Sequence, residues 1–157
     1  MDCTFCEKYK KKVEVIPLNF FWLHFDKFPI SPGHAEIIPV RHIPSLFDLN
    51  VAEWMDLKHS INEAVKIIES TNLKDMYTEL LKNPFNEKSK LYLEKMLYHV
   101  GIDKKINGYN MGLNEGEAAG RTIPHLHIHI IPRYFGDVKD PRGGIRNIIP
   151  DVGNYIK

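Results

Sequence analysis

The chain has 157 residues, 43% hydrophobic and 26% charged, a composition that excludes a disordered chain and fits one globular domain, 1–157, with a core needing no disulfide staples. Its 21 Lys+Arg against 20 Asp+Glu leave a net charge of +1, which excludes a general electrostatic grip on nucleic acid or an anionic membrane. A polyanion must therefore be held at a local site. Among eight histidines, His125, His127 and His129 fall within five consecutive positions.

Taken from the N-terminus, Cys3 and Cys6 are the only cysteines, too closely spaced to close a useful disulfide loop, and they are expected as reduced thiols. Met1 to Lys12 is polar and lysine-rich without an apolar leader, and Phe20 to Phe25 is too short to cross a bilayer. These features predict a soluble, cytoplasmic protein. Val13 to Asp26 reads as two strands around a turn at Pro17-Leu18-Asn19, Phe28 to Gly33 as a loop, and Ala35 to Val40 as a further strand. Asn50 and Glu53 have capping-box spacing, and Trp54, Leu57, Ile61, Ala64, Val65 and Ile68 repeat as one face of a helix. Leu73 to Val100 is helical again, interrupted at Asn83-Pro84, with Met76, Leu80 and Leu81 on one side and Leu91, Met96 and Leu97 on the other, and Gly101 as a stop. Gly108 to Asn114 alternates as a strand, with Asn110, Gly112 and Asn114 on its polar face, and a small-residue turn leads to a last strand at His125 to Ile131. Segregated strands and helices predict an α+β domain: an antiparallel sheet of about five strands with helices packed on it.

In that last strand, period-two alternation turns the three imidazoles to one face and Leu126, Ile128 and Ile130 to the other. His125 and His129 would stand about 13 Å apart, each about 6.5 Å from His127, so one metal does not easily take all three. Neighbouring pairs can chelate, or the row can lie along a phosphate ester. Neutral imidazole is a nucleophile and imidazolium a proton source near pH 7, which favours covalent phosphate chemistry.

His125-Leu126-His127-Ile128-His129-Ile130-Ile131 resembles the signature of the histidine triad (HIT) superfamily of nucleotide hydrolases and transferases. The resemblance extends to Ser31-Pro32-Gly33-His34-Ala35-Glu36-Ile37-Ile38-Pro39 and to the segments Asn114-Glu115-Gly116 and Ala119-Gly120-Arg121-Thr122 before the triad. It implies a HIT-like fold with an extra helical insertion at 73–105 and a C-terminal extension at 133–157. It also implies that His127 attacks an α-phosphorus to give a nucleotidyl-histidine, assisted by His129 and supported by His34. Asp26 is implied as a ribose ligand, and Asn114 and Thr122 as phosphate ligands. Some bacterial members join an N-terminal Cys pair to two histidines, which here implies a structural zinc on Cys3, Cys6, His42 and His125, with catalysis itself needing no metal.

Pro132-Arg133-Tyr134-Phe135-Gly136-Asp137 and Asp140-Pro141-Arg142-Gly143-Gly144-Ile145-Arg146 resemble the dinucleoside polyphosphate-hydrolysing branch. Arg142 and Arg146 are candidate clamps for distal phosphates, or else solvated arginines beside a Gly-Gly turn. The expected activity is cleavage of a diadenosine tri- or tetraphosphate at an α-phosphate by a homodimer. Adenosine phosphoramidase and nucleotidyl transferase are the alternatives within the superfamily. Outside it stand a non-catalytic nucleotide- or partner-binding module and a catalytic metal on the three histidines. His24, His59 and His99 belong to no motif.

Overall fold

The computed structural model describes residues 3–149 together with Gly153. Among these residues, β1 (Ile16–Pro17), β2 (Phe21–Phe25), β3 (Ala35–Pro39), β4 (Gly108–Gly112) and β5 (Ile128–Arg133) form one antiparallel sheet in the order β1-β2-β3-β5-β4. The helices are α1 (Thr4–Lys11), α2 (Val51–Ser70), α3 (Leu73–Leu80) and α4 (Glu87–Leu97). The architecture is the expected α+β class with five strands.

Alternation along the strands divides the sheet into two faces. Phe21, Leu23, Ala35, Ile37 and Ile130 share one face and pack against Ala64 and Ile68 of α2, each at most 1% exposed. Burying a large apolar side chain of this kind contributes about 1.5–3 kcal/mol over leaving it in water. The opposite face carries Trp22, His24, Glu36 and His129 in register. There α1 covers only one end, where Cys3 and Phe5 pack on Trp22 and Ile38. The rest of that face is open for a site.

The capping box of α2 is as expected: the Asn50 side chain accepts the Glu53 N–H at 2.9 Å, and the Glu53 carboxylate accepts the Asn50 N–H at 2.9 Å. Trp54 departs from the expected stripe and is 55% exposed, because α2 meets the core from Leu57 onward. The break at Asn83-Pro84 separates α3 from α4, whose Leu73, Tyr77, Leu93 and Met96 form their own cluster. Leu91, grouped by its spacing with Met96 and Leu97, is exposed. Gly101 is not the helix stop: α4 ends at Leu97, and Gly101 instead lies so close to the Tyr134 ring that a side chain there would overlap it.

Several boundaries differ from the sequence reading. The first turns hold α1, which a lysine-rich composition concealed. Pro17 belongs to β1, and the turn to β2 closes through the Leu18 N–H on the Phe21 carbonyl at 3.0 Å. The polar strand ends at Gly112 and leaves Asn114 in the following loop. Most consequential, β5 begins at Ile128, three residues later than expected. The Leu126 N–H donates to Ile43 O at 2.6 Å, and the Pro39 carbonyl accepts from the His125 side chain, so the ladder with β3 stops at Ile37↔Ile128.

The α3–α4 pair grips the loop between β2 and β3. The fully buried Tyr77 hydroxyl accepts the Gly33 N–H at 2.8 Å, and the Ser89 hydroxyl donates to Lys27 O at 2.7 Å. Gly33 has φ +84°, a left-handed conformation that turns the chain into His34. Tyr77→Phe strands that buried N–H and should lower unfolding stability by about 1–3 kcal/mol with an unchanged denaturant slope. Parental stability in urea titration would show that the loop does not depend on this bond.

Candidate active site

Two side-chain clusters meet at His125. In the first, His42 Nδ1 and His125 Nδ1 are 3.3 Å apart, Cys3 Sγ lies 3.4 Å from His125 Nδ1, and Cys6 Sγ lies 3.4 Å from His42 Nδ1 and 3.6 Å from His125 Nδ1. A tetrahedral zinc with bonds of about 2.3 Å to sulfur and about 2.0 Å to nitrogen gives edges of about 3.3 Å between nitrogens and about 3.5 Å between nitrogen and sulfur. The donor set and its spacing therefore fit that ion. His125 Nε2–H donates to Pro39 O at 2.9 Å, which leaves Nδ1 as a lone pair facing the other donors. Burial, ahead of the Pro39 bond that opposes it, pushes the His125 pKa down to about 4, so the ring is neutral. Burial also raises the Cys6 thiol, helped by a hydrogen bond to Cys3.

The second cluster lines a cavity of about 420 Å³ between α1, the uncovered sheet face and the loop before β5. His127 is buried, and its Nδ1–H donates to the His125 carbonyl at 2.7 Å. That bond leaves Nε2 with its lone pair. The Phe5 ring packs 5.4 Å from the His127 ring, and His129 meets it edge-on at 5.3 Å.

Behind His129 runs a polar chain. The Ile30 N–H approaches His34 Nδ1 at 3.5 Å, so His34 carries its proton on Nε2 and donates to His129 Nδ1 at 3.1 Å. His129 then carries its own proton on Nε2. Asp26 Oδ2 stands 3.4 Å from His34 Nδ1, where a protonated ring would be stabilised. Burial, and then the neighbouring His34, pushes the His129 pKa down to about 4; burial likewise lowers His34.

Asp26, Asn114, Thr122, His127 and His129 all line the cavity, while His34 sits behind it. Arg142 and Arg146 do not join them. Arg142 forks onto Asp140 at 2.9 Å through both Nε and Nη2, and Arg146 Nε donates to Gly153 O at 3.3 Å. Neither arginine lines the cavity in this arrangement. The rest of the expected C-terminal extension, residues 150–152 and 154–157, lies outside the described residues.

Sequence reasoning missed Glu36, buried opposite His129 with Oε1 3.5 Å from His129 Nδ1. Burial, reinforced by the Asp26 charge, pushes its pKa up to about 8. The signal was available: a carboxylate two residues after His34, in an otherwise apolar strand, shares His34's face. Lys8 and His24, which also line the cavity, were passed over because nothing local marks their convergence.

No helix among the described residues is long and apolar enough to cross a membrane. The chain is 40% identical over 159 residues to an uncharacterized HIT-like protein of Methanocaldococcus jannaschii, covering 99% of this chain and 96% of that one. It is 30% identical over 112 residues to the asymmetrical bis(5'-nucleosyl)-tetraphosphatase of Schizosaccharomyces pombe, a match spanning 71% of this chain but only 44% of the tetraphosphatase. A Zn-bound histidine triad family protein of Mycobacterium smegmatis shares the fold, with TM-score 0.55 and 21% identity over 89% of this chain and 81% of that one. The HIT domain model matches residues 8–136, and with His125, His127 and His129 brought together at the start of β5 in this way the chain belongs to the HIT domain family.

Proposed function

We propose that the protein is a nucleotide hydrolase that cleaves dinucleoside polyphosphates at an α-phosphate through a nucleotidyl-histidine at His127. One observation carries the reading: the His127 Nδ1–H is bound to a backbone carbonyl, so the lone pair is at Nε2, beside the proton-bearing His129. In the first step His127 Nε2 bonds to the α-phosphorus and the bond to the leaving phosphate oxygen breaks. The His129 Nε2–H donates a hydrogen bond to the leaving oxygen, which departs as a phosphate anion. Water then attacks the phosphorus, the P–N bond breaks, and a nucleoside monophosphate leaves with the imidazole restored. His34 is the positioning residue for His129, Asp26 binds the ribose hydroxyls, and Asn114 and Thr122 bind phosphate oxygens. Similarity to the fission-yeast tetraphosphatase supports this substrate class.

Cys3, Cys6, His42 and His125 would hold a structural zinc, tying α1 to the residues that lead into β5. The Zn-bound mycobacterial structure of the same fold supports that assignment. Thiols retained as ligands suit a reducing compartment such as the cytoplasm. Val51, Trp54 and Met55, exposed apolar residues at i, i+3 and i+4 in the first turns of α2, would fit a homodimer interface.

His127→Asn should reduce release of AMP from diadenosine tri- and tetraphosphate by about 10⁴-fold, and His129→Asn by about 10²–10³-fold, in a product-resolved chromatographic assay. Undiminished turnover by His127→Asn would sink the covalent route. Removal of metal with a strong chelator should lower Tm by several degrees, about one metal per chain being released, while protein still folded at the assay temperature keeps most of its turnover. Loss of activity at an unchanged Tm would instead place the metal in the chemistry.

A further inference from the structure

α1 stands between the Cys3-Cys6-His42-His125 cluster and the cavity that holds His127. Cys3 is its N-cap and Cys6 lies in its first turn, while Thr4, Phe5 and Lys8 of the same segment line the cavity. The Phe5 ring, between the two cysteines in sequence, packs 5.4 Å from the His127 ring and 5.9 Å from the His125 ring. A change at Cys3 and Cys6 is therefore a change at a wall of the site.

The two sulfurs are close together and unequal. Side chains at the N-cap and three residues on converge, the geometry that a capping box uses, and here both positions hold sulfur. Cys3 makes no side-chain cap hydrogen bond that would hold it away. Both sulfurs face one nitrogen, Cys3 Sγ at 3.4 Å and Cys6 Sγ at 3.6 Å from His125 Nδ1, and the donor atoms of the cluster all lie within 4.8 Å of one another. Cys3 is buried among Phe5, Trp22 and Ile38, whereas Cys6 is half-buried. A reagent arriving from solvent meets Cys6 first.

A disulfide between them would enclose only Thr4 and Phe5, a loop too short to constrain the unfolded chain much. Such a bond is a poor staple and a good reversible link. It would withdraw both sulfurs from the cluster and leave His42 and His125, half of a tetrahedral donor set. Sulfurs that ligate a metal are thiolates, the form that attacks disulfides.

We propose that Cys3 and Cys6 are a redox-sensitive pair: exchange with a small disulfide joins them, strips the metal from the cluster and loosens α1 over the cavity. The Cys6 thiolate attacks one sulfur of the reagent, forming a mixed disulfide, and one reagent thiolate leaves. The Cys3 thiolate then attacks the mixed disulfide at Cys6, and the second reagent thiolate leaves. Two protein thiolates are oxidised and one reagent disulfide is reduced to two thiolates. The cluster, left with two imidazoles, gives up its metal unchanged in charge. The proposal rests on the zinc reading and adds that the hold of α1 follows the thiol–disulfide balance around the protein.

Treating the whole zinc-loaded chain with glutathione disulfide tests it. Intact mass should fall by two hydrogens, and about one zinc per chain should pass to a metal indicator. Amide hydrogen exchange within Thr4–Lys11 should quicken at least about tenfold while exchange in α2 holds, and dithiothreitol with added zinc should reverse all three changes. Cys3→Ser should stop at the mixed disulfide and gain the mass of one glutathione, whereas Cys6→Ser should stay unmodified over the time the parent needs. If a serine variant does not fold, acid quench of the parent and fragmentation of its N-terminal peptide read the same order of attack. A parent that keeps both thiols, or that carries glutathione on both cysteines, overturns the pair. An internal disulfide with α1 exchange unchanged overturns its hold on the helix. If zinc does not bind the reduced chain, the zinc reading falls, and the disulfide with its effect on α1 exchange still decides the redox pair.

Discussion

The carbonyl and both ring nitrogens of His125 are committed, and the ring nitrogens join parts of the molecule that the chain leaves far apart. Its carbonyl accepts the His127 Nδ1–H at 2.7 Å, its Nε2–H donates to Pro39 O at 2.9 Å, and its Nδ1 faces Cys3, Cys6 and His42. The Pro39 bond ends the β3–β5 ladder and fixes the ring. A fixed ring sets the direction of the lone pair offered to a metal, and a fixed backbone sets the carbonyl that decides which His127 nitrogen is free. The His127 tautomer and the clustering of Cys3, Cys6 and His42 on His125 are thus consequences of one local geometry, and α1 is held over the cavity by the same residue.

That geometry is possible because the sheet is asymmetric. The face packed on α2 is wholly apolar, and its burial supports the opposite face, where His24, Glu36 and His129 lie in one row across three strands. Burying charges there would be expensive. Burial pushes Glu36 up to about 8 and both His24 and His129 down to about 4, so at neutral pH all three lean to their uncharged forms. Burial thus reduces the negative charge that Glu36 presents to the cavity. Lys8 and Lys27 supply positive charge to the same cavity, beside Asp26.

What the sequence disclosed follows from the range of each interaction. His127 and His129 were legible because strand geometry alone puts alternate residues on one face, and Pro-Gly-His was legible because a left-handed turn needs Gly33. The capping box of α2 is local chemistry over four residues and came through intact. α1 was hidden because its burial depends on Trp22, Ile38 and His125, far along the chain, while its own surface is mostly lysine. The late start of β5 could not be read from alternation, since it arises from a side chain taking a carbonyl on another strand. Arg142, open in the sequence between a phosphate clamp and a solvated arginine, is forked onto Asp140 two residues away.

The α3–α4 pair shows how a peripheral segment bears on the chemistry. It holds the β2–β3 loop at two points, through Ser89 on Lys27 O and through Tyr77 on the Gly33 N–H. The chain between them carries Ile30, whose N–H approaches His34 Nδ1, and Ser31, whose hydroxyl donates to Pro132 O at 2.6 Å. A Cβ at Gly33 would come within 3.0–3.3 Å of Ile68, Leu73 and Pro132, so the turn is packed on three sides as well as hydrogen-bonded. His34 follows immediately and donates its Nε2–H to His129 Nδ1. If the loop shifted, the Ile30 N–H would withdraw, the His34 tautomer would no longer be dictated, and the proton on His129 would lose its assigned nitrogen. The helical pair stands outside the triad strand, yet the protonation pattern of the triad depends on where it presses.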